Sequence, residues 1–221
     1  MPLHLQRDLD NLQRDLVALA GLVEQAIYKS TNALQGRDPA LAREVIGGDG
    51  QIDLEDNHIN EECLKMLALH QPVASDLRRI VAAMMIVVDL ERMGDLAEEI
   101  AERAISMEGA PPLPIPEKLQ KMSDMTTIMV RQSLDSFVHL NKEQAERVLR
   151  MDDEVDRYNV EIIAELIQTM QSSPELIEPG LSLFSATRHL ERIADHATNI
   201  AEDVIYLIDG EIVRHRPSAG N

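Results

Sequence analysis

Apolar residues return every three or four positions through most of this chain, the spacing that lines one face of an α-helix. Between about Leu5 and Gln35 they fall at Leu5, Leu9, Leu12, Leu16, Leu19, Val23, Ala26, Ile27, Ala33 and Leu34. The stretch Gly36-Arg37-Asp38-Pro39 ends that helix and opens the next, with Asp38 as N-cap and Pro39 in the first helical position. The second helix is predicted to reach about His70, where Gln71-Pro72 breaks it. A third runs from Val73 or Ser75 to about Met107. Four prolines then crowd the six residues from Pro111 to Pro116, a density that neither helix nor central strand tolerates. The helical pattern resumes from about Glu117 to Leu140, restarts after an Asn141 cap to about Gln171, breaks at Ser172-Ser173-Pro174, and closes with a helix to about Asp209.

The chain also repeats itself. Residues 90–102, LERMGDLAEEIAE, return at 190–202 as LERIADHATNIAE, with eight identities in thirteen positions. Upstream the match continues at an offset of 103: Ser30 meets Ser133, Asp38 meets Asn141, Ala42 meets Ala145 and Val45 meets Val148. The change of offset falls at the break between second and third helices, where a length difference is tolerated. Fixed-offset self-similarity marks two copies of one supersecondary unit. The expected fold is therefore all-α: six long helices in two tandem, sequence-related three-helix bundles. Residues 1–108 form the first bundle, 109–116 a proline-rich linker, 117–211 the second bundle, and 212–221 a frayed tail.

Composition narrows the reading. Hydrophobic residues make up 44% of the 221, enough for a core, but aromatics only 2%, so the core must be aliphatic. Thirty-nine acids against 21 bases leave a formal charge of −18, which repels nucleic-acid phosphates and anionic lipid. The longest apolar run, ending at Val88, is far too short to span a bilayer, and no signal peptide is expected ahead of the first helix. The single Cys63 cannot form an internal disulfide. A cytoplasmic protein that neither binds nucleic acid nor inserts into a membrane is expected.

The candidate chemistry lies in carboxylates. Each copy of the repeat carries Glu and Asp four residues apart, Glu91/Asp95 and Glu191/Asp195, on one face of a helix. A second pair recurs on the neighbouring helix, Asp49/Asp53 and Asp152/Asp156. At 100° per residue, Glu98 and Glu102 continue the Glu91 stripe, which is apolar over its earlier turns. Charge runs are commonly solvated faces, and a bundle whose acids simply face water is one reading. Against it, the pairs are duplicated, few bases stand at i±4, and like charges at that spacing cost a few tenths of a kcal/mol unless neutralised. Two helices each presenting such a pair can build an all-oxygen site for Mg²⁺, Mn²⁺, Ca²⁺ or iron, singly or as a cluster.

Other patterns are decoys. Gly48-Asp-Gly-Gln-Ile-Asp53 looks like part of a calcium loop, but its counterpart Arg150–Asp156 is plainly helical, while Gly48 and Gly50 are expected to loosen the helix beside Asp49. Glu55-x-x-His58 is half of a di-iron signature whose second half is missing. His189 and His196 flank the second acid pair and read as surface or hydrogen-bonded histidines. No phosphate loop, nucleophile elbow or Cys/His metal spacing is present, so an enzyme is not expected.

The segments Gln71-Pro-Val-Ala-Ser-Asp-Leu-Arg78, Asp89-Leu-Glu-Arg-Met-Gly-Asp95 and Leu190–Glu202, within the duplicated three-helix layout, resemble the PhoU family of phosphate-uptake regulators. The resemblance spans the chain from the first helix to about Asp209. It implies a cytoplasmic, often homodimeric, non-enzymatic protein that modulates the phosphate ABC transporter through its ATPase. It further implies negative regulation of the transcriptional phosphate-starvation response through a membrane sensor histidine kinase, and bound metal, iron clusters included, with Fe, Mn, Zn or Mg as candidates. The positions that match the family's acid motifs are Asp49, Asp53, Glu91 and Asp95, then Asp152, Asp156, Glu191 and Asp195. Asn199 matches the Asn of the family's usual continuation, and Glu99 stands at its first-half equivalent, which makes the first site the more acidic. The alternative is a metal-binding, metal-storing or metal-dependent helical bundle unrelated to phosphate signalling.

Overall fold

The computed structural model describes residues 3–210, and the predicted tail at 212–221 lies outside them. Six helices account for nearly all of it: α1 Leu3–Gly36, α2 Pro39–His70, α3 Ala74–Ser106, α4 Glu117–His139, α5 Lys142–Ser172 and α6 Ile177–Asp209. The break at Ser173 contains a single 3₁₀ turn, Pro174–Leu176, so the last helix starts at Ile177.

The two α–α turns that open the halves are built alike. Arg37 and Leu140 each take a left-handed conformation, φ +50° and +48°. Behind them the amides of Asp38 and Asn141 reach back to the carbonyls of Ala33 and Ser136, both at 2.9 Å, closing the preceding helix. The same two side chains then cap the helix that follows. Asp38 accepts from the amides of Ala40 and Leu41, and Asn141 accepts from that of Gln144. Gln71, left-handed at φ +45°, closes α2 ahead of Pro72.

α3 and α6 are the central rods. α3 packs against α1 and α2, α6 against α4 and α5, and the halves meet along α3–α6 and, less extensively, α1–α4. One continuous aliphatic core runs through both, with Phe137 the aromatic among the largest fully buried side chains. At the α1–α4 contact Ser123 donates to Thr31 at 3.0 Å, keeping two buried hydroxyls satisfied. The stretch between α3 and α4 is fastened rather than loose. Arg37 donates to the carbonyls of Ala110 and Pro111 at 3.0 and 2.8 Å, and Leu113 is buried. Among the described residues no helix is long and apolar enough to cross a membrane.

Candidate functional site

In the first half α2 presents Asp49 and Asp53 one turn apart, toward the stretch of α3 that carries Glu91, Asp95 and Glu98. Gly94 is what lets the rods close here. A Cβ at that position would lie 3.0 Å from Cδ1 of Ile52 and 3.8 Å from Oδ1 of Asp49. Asp49, Asp53 and Asp95 each bring a carboxylate oxygen within 4.8 Å of the other two. Burial raises the pKa of Asp49, and the charges of Asp53 and Asp95 raise it further. Burial likewise raises Glu91 and then Glu98, with Asp95 and Asp53 acting on both and Asp49 on Glu98. The basic group at this edge is Arg92, 3.5 Å from Glu91 and 3.0 Å from Asp95.

The second half sets Asp152 and Asp156 on α5 near Glu191 and Asp195 on α6, but more loosely: among the described residues, Asp49, Asp53 and Asp95 are the three whose oxygens close to within 4.8 Å. The Asp152 carboxyl is pushed up to about 7, by burial first and then by Asp156, Asp195, Asp153 and Glu191. Burial also raises Glu191 and Asp195, with the neighbouring carboxylates adding to each. Oδ1 of Asp152 and Oε2 of Glu191 are both buried with no hydrogen-bond partner. Glu191's other oxygen accepts from Arg188 at 3.0 Å. Buried acceptors without donors are costly, and converging carboxylates more so. A bound cation would supply the missing positive charge and the missing partner at once. The donor set, all carboxylate oxygen from two helices, suits hard cations, so the residues fit the metal that the sequence suggests.

Two predicted ligands go elsewhere. Glu99 places Oε2 3.0 Å from Nδ1 of His189, an ion-pair distance without hydrogen-bond alignment. Asn199 donates to Oδ1 of Asp89 at 3.2 Å, beside His196 at 2.8 Å from the same oxygen. Both are turned into the α3–α6 contact, away from α2 and α5. The reason is angular: Glu99 and Asn199 sit eight residues past Glu91 and Glu191, some 80° round the helix. Glu98, seven residues past Glu91, stays on the acid face and was passed over as a ligand. Strict helical spacing finds it, where the family's linear motif does not. Its counterpart Thr198 spends its hydroxyl on the Asp195 carbonyl at 2.6 Å, so Glu98 gives the first acid face a carboxylate that the second lacks at this position.

The decoys resolve as well. Residues 48–53 lie inside α2, which runs unbroken through Gly48 and Gly50. His189 and His196 are held by Glu99, Ser185 and Asp89. Cys63 is fully buried, and burial pushes its thiol up to about 12, which leaves it inert.

Comparison with known proteins agrees with this architecture. The family model described as the PhoU domain matches twice, over residues 16–104 and 119–204. The phosphate-specific transport system accessory protein PhoU homolog of Aquifex aeolicus is 42% identical over 96% of both chains. The homolog of that name in Pseudomonas aeruginosa is 40% identical over 94% of this chain and 86% of its own. The crystal structure of PhoU from Pseudomonas aeruginosa superposes with a TM-score of 0.88 at 39% identity, over 93% of this chain and 99% of that one. That of the phosphate transport system regulatory protein PhoU from Streptococcus pneumoniae also gives 0.88, at 30% identity over 95% and 99%. Both bundles are thus accounted for by one duplicated domain, and the chain belongs to the PhoU family.

Proposed function

We propose that this protein is a cytoplasmic, homodimeric, non-enzymatic accessory regulator of phosphate uptake. In this reading it engages the ATPase of a phosphate ABC transporter and, through a membrane sensor histidine kinase, holds the phosphate-starvation response off when phosphate is plentiful. The observation that carries it is likeness along nearly the whole chain, through both repeats, to proteins named as accessory proteins of the phosphate-specific transport system.

The acid clusters belong to the same proposal. Asp49, Asp53 and Asp95, with Glu91 and Glu98 beside them, would hold one divalent cation or iron site, and Asp152, Asp156, Glu191 and Asp195 the other. A cation there supplies positive charge that offsets the repulsion among the carboxylates. The chain's own part is to aim oxygens from α2 at α3 and from α5 at α6. Each site would then fasten an outer helix to a central one, a structural role that needs no turnover.

The test is made in cells. Affinity capture of the full-length protein from phosphate-replete cells should recover the transporter ATPase and the kinase. Deleting its gene should leave phosphate-starvation genes expressed in phosphate-rich medium. Normal repression in the deletion strain, with neither partner captured, would overturn the reading and leave cation binding as the remaining activity.

A further inference from the structure

We propose that two polar contacts across the α3–α6 seam are positioning contacts that couple the acid clusters, so that filling one cluster with a divalent cation strengthens binding at the other. The inference rests on the cation reading above and adds what links the two halves.

The contacts are images of one another under the internal repeat. Asp89 of α3 accepts from Asn199 of α6 at 3.2 Å, with His196 Nδ1 2.8 Å from the same oxygen. One repeat away the roles are reversed. His189 of α6 lies 3.0 Å from Glu99 of α3, and Ser185 braces its other ring nitrogen at 3.0 Å. Positions 89 and 199 therefore meet as 189 and 99 do.

Each contact also sits on a turn that carries cluster acids. Asp89 is two residues before Glu91, and Glu99 directly follows Glu98. His189 is two residues before Glu191, and His196 directly follows Asp195. A helix turns as a rigid rod, so a rotation of α3 that withdraws Glu91 and Glu98 from α2 must also move Asp89 and Glu99 in the seam. Asp89 is only 8% exposed, and Leu90, Met93, Ala97, Ile193 and Ala197 nearby are all buried. Breaking the contact at buried Asp89 is costly, and the half-exposed Glu99–His189 pair adds a weaker tie, so the rotations of α3 and α6 are linked. Once one cluster is filled and its central rod fixed against the outer helix, the seam has already set the other rod. The second site then forms with less ordering left to do, which is positive coupling without any large movement.

Mn²⁺ titration by calorimetry on the full chain tests this, in about 0.15 M salt, which screens exposed charges beyond roughly 8 Å. The affinity of the first cluster is measured with the second intact and with it disabled by Asp152→Asn/Asp156→Asn. The same comparison is then made in Asp89→Ala and in Glu99→Ala backgrounds. In the parent chain, disabling the second cluster should weaken the first by about fivefold or more. In the seam variants the same change should have little effect, and Asp89→Asn, which keeps an acceptor oxygen, should restore much of the coupling. Glu99 is half exposed, so Glu99→Ala remains informative if Asp89→Ala fails to fold. Binding by both clusters with no coupling, or with coupling that survives both seam variants, overturns this inference alone. No Mn²⁺ bound by the parent chain overturns the cation reading and this inference with it.

Discussion

Gly94 and Ile52 interlock between α3 and α2: a methyl group added to Gly94 would fall 3.0 Å from Cδ1 and 3.1 Å from Cγ2 of Ile52. At the equivalent positions of the second half the pair is Ala194 and Val155, one carbon larger on the central helix and one smaller on the outer helix. The two halves thus share total side-chain size at this crossing while dividing it differently. Gly94→Ala should gain about 1 kcal/mol of helix propensity and lose more than that to overpacking, which typically costs about 1–3 kcal/mol. The double variant Gly94→Ala/Ile52→Val should recover the loss. Urea unfolding of the three chains decides it, and a Gly94→Ala midpoint at or above that of the parent would contradict the interlock.

The shared capping turns give a second prediction. Asp38 and Asn141 each accept helix amides that would otherwise go unpaired. Asp38→Ala and Asn141→Ala should each cost about 1 kcal/mol, within the usual range of about 0.5–2. The two turns lie in different halves, so the losses should add in the double variant. Unchanged unfolding midpoints would show that the caps are not sustaining α2 and α5.

Stability should fall as pH rises when no metal is present. Asp152 has a carboxyl pushed up to about 7 against an ordinary value of 3.8, so between those values the folded chain holds a proton that the unfolded chain has released. Folding is then favoured less with each step upward through that window, and the loss levels off above about pH 7. Asp49, Glu91, Glu98, Glu191 and Asp195 are raised as well and act in the same direction. In chelator, melting temperature should decline from pH 5 to 8, and Asp152→Asn should decline less and melt higher than the parent at pH 8. A melting temperature that climbs over that range would contradict the burial of uncompensated carboxylates.

Added cation should reverse that trend. At a free concentration a hundredfold above its dissociation constant, a ligand that binds only the folded chain adds about 2.7 kcal/mol. For a chain of this size that is a rise of roughly 5–10 °C. Protons compete for Asp152, so the rise should be larger at pH 8 than at pH 5.5, and most of the pH sensitivity should vanish in Asp152→Asn/Asp156→Asn. Thermal melts with Mn²⁺ and with Mg²⁺ would show it, and equal shifts at both pH values would argue that the cation does not displace a proton there.

Much of this molecule can be read from one line of residues, for identifiable reasons. The six helices follow from apolar spacing, and their ends from Asp38-Pro39, Gln71-Pro72 and Asn141, because caps and prolines act locally. The acid pairs follow from i,i+4 spacing and the duplicated text. Glu99 and Asn199 turn toward the α3–α6 seam: a linear motif ranks residues by order, whereas a helix ranks them by angle, which favours Glu98. Nothing local to Gly94 in the sequence announces that Ile52 will press against it. The Asp89–Asn199 and Glu99–His189 contacts were out of reach for a deeper reason. A repeat states that two units are alike, not how they are set against each other.

If the converging carboxylates of each half take up a cation, bound metal should follow the acids. Elemental analysis of protein purified without chelator, then incubated with iron, manganese and zinc, tests it most directly alongside Glu91→Ala/Asp95→Ala and Glu191→Ala/Asp195→Ala. The parent chain should hold metal, and each variant should lose a distinct share. Equally negligible metal in all three proteins would contradict it.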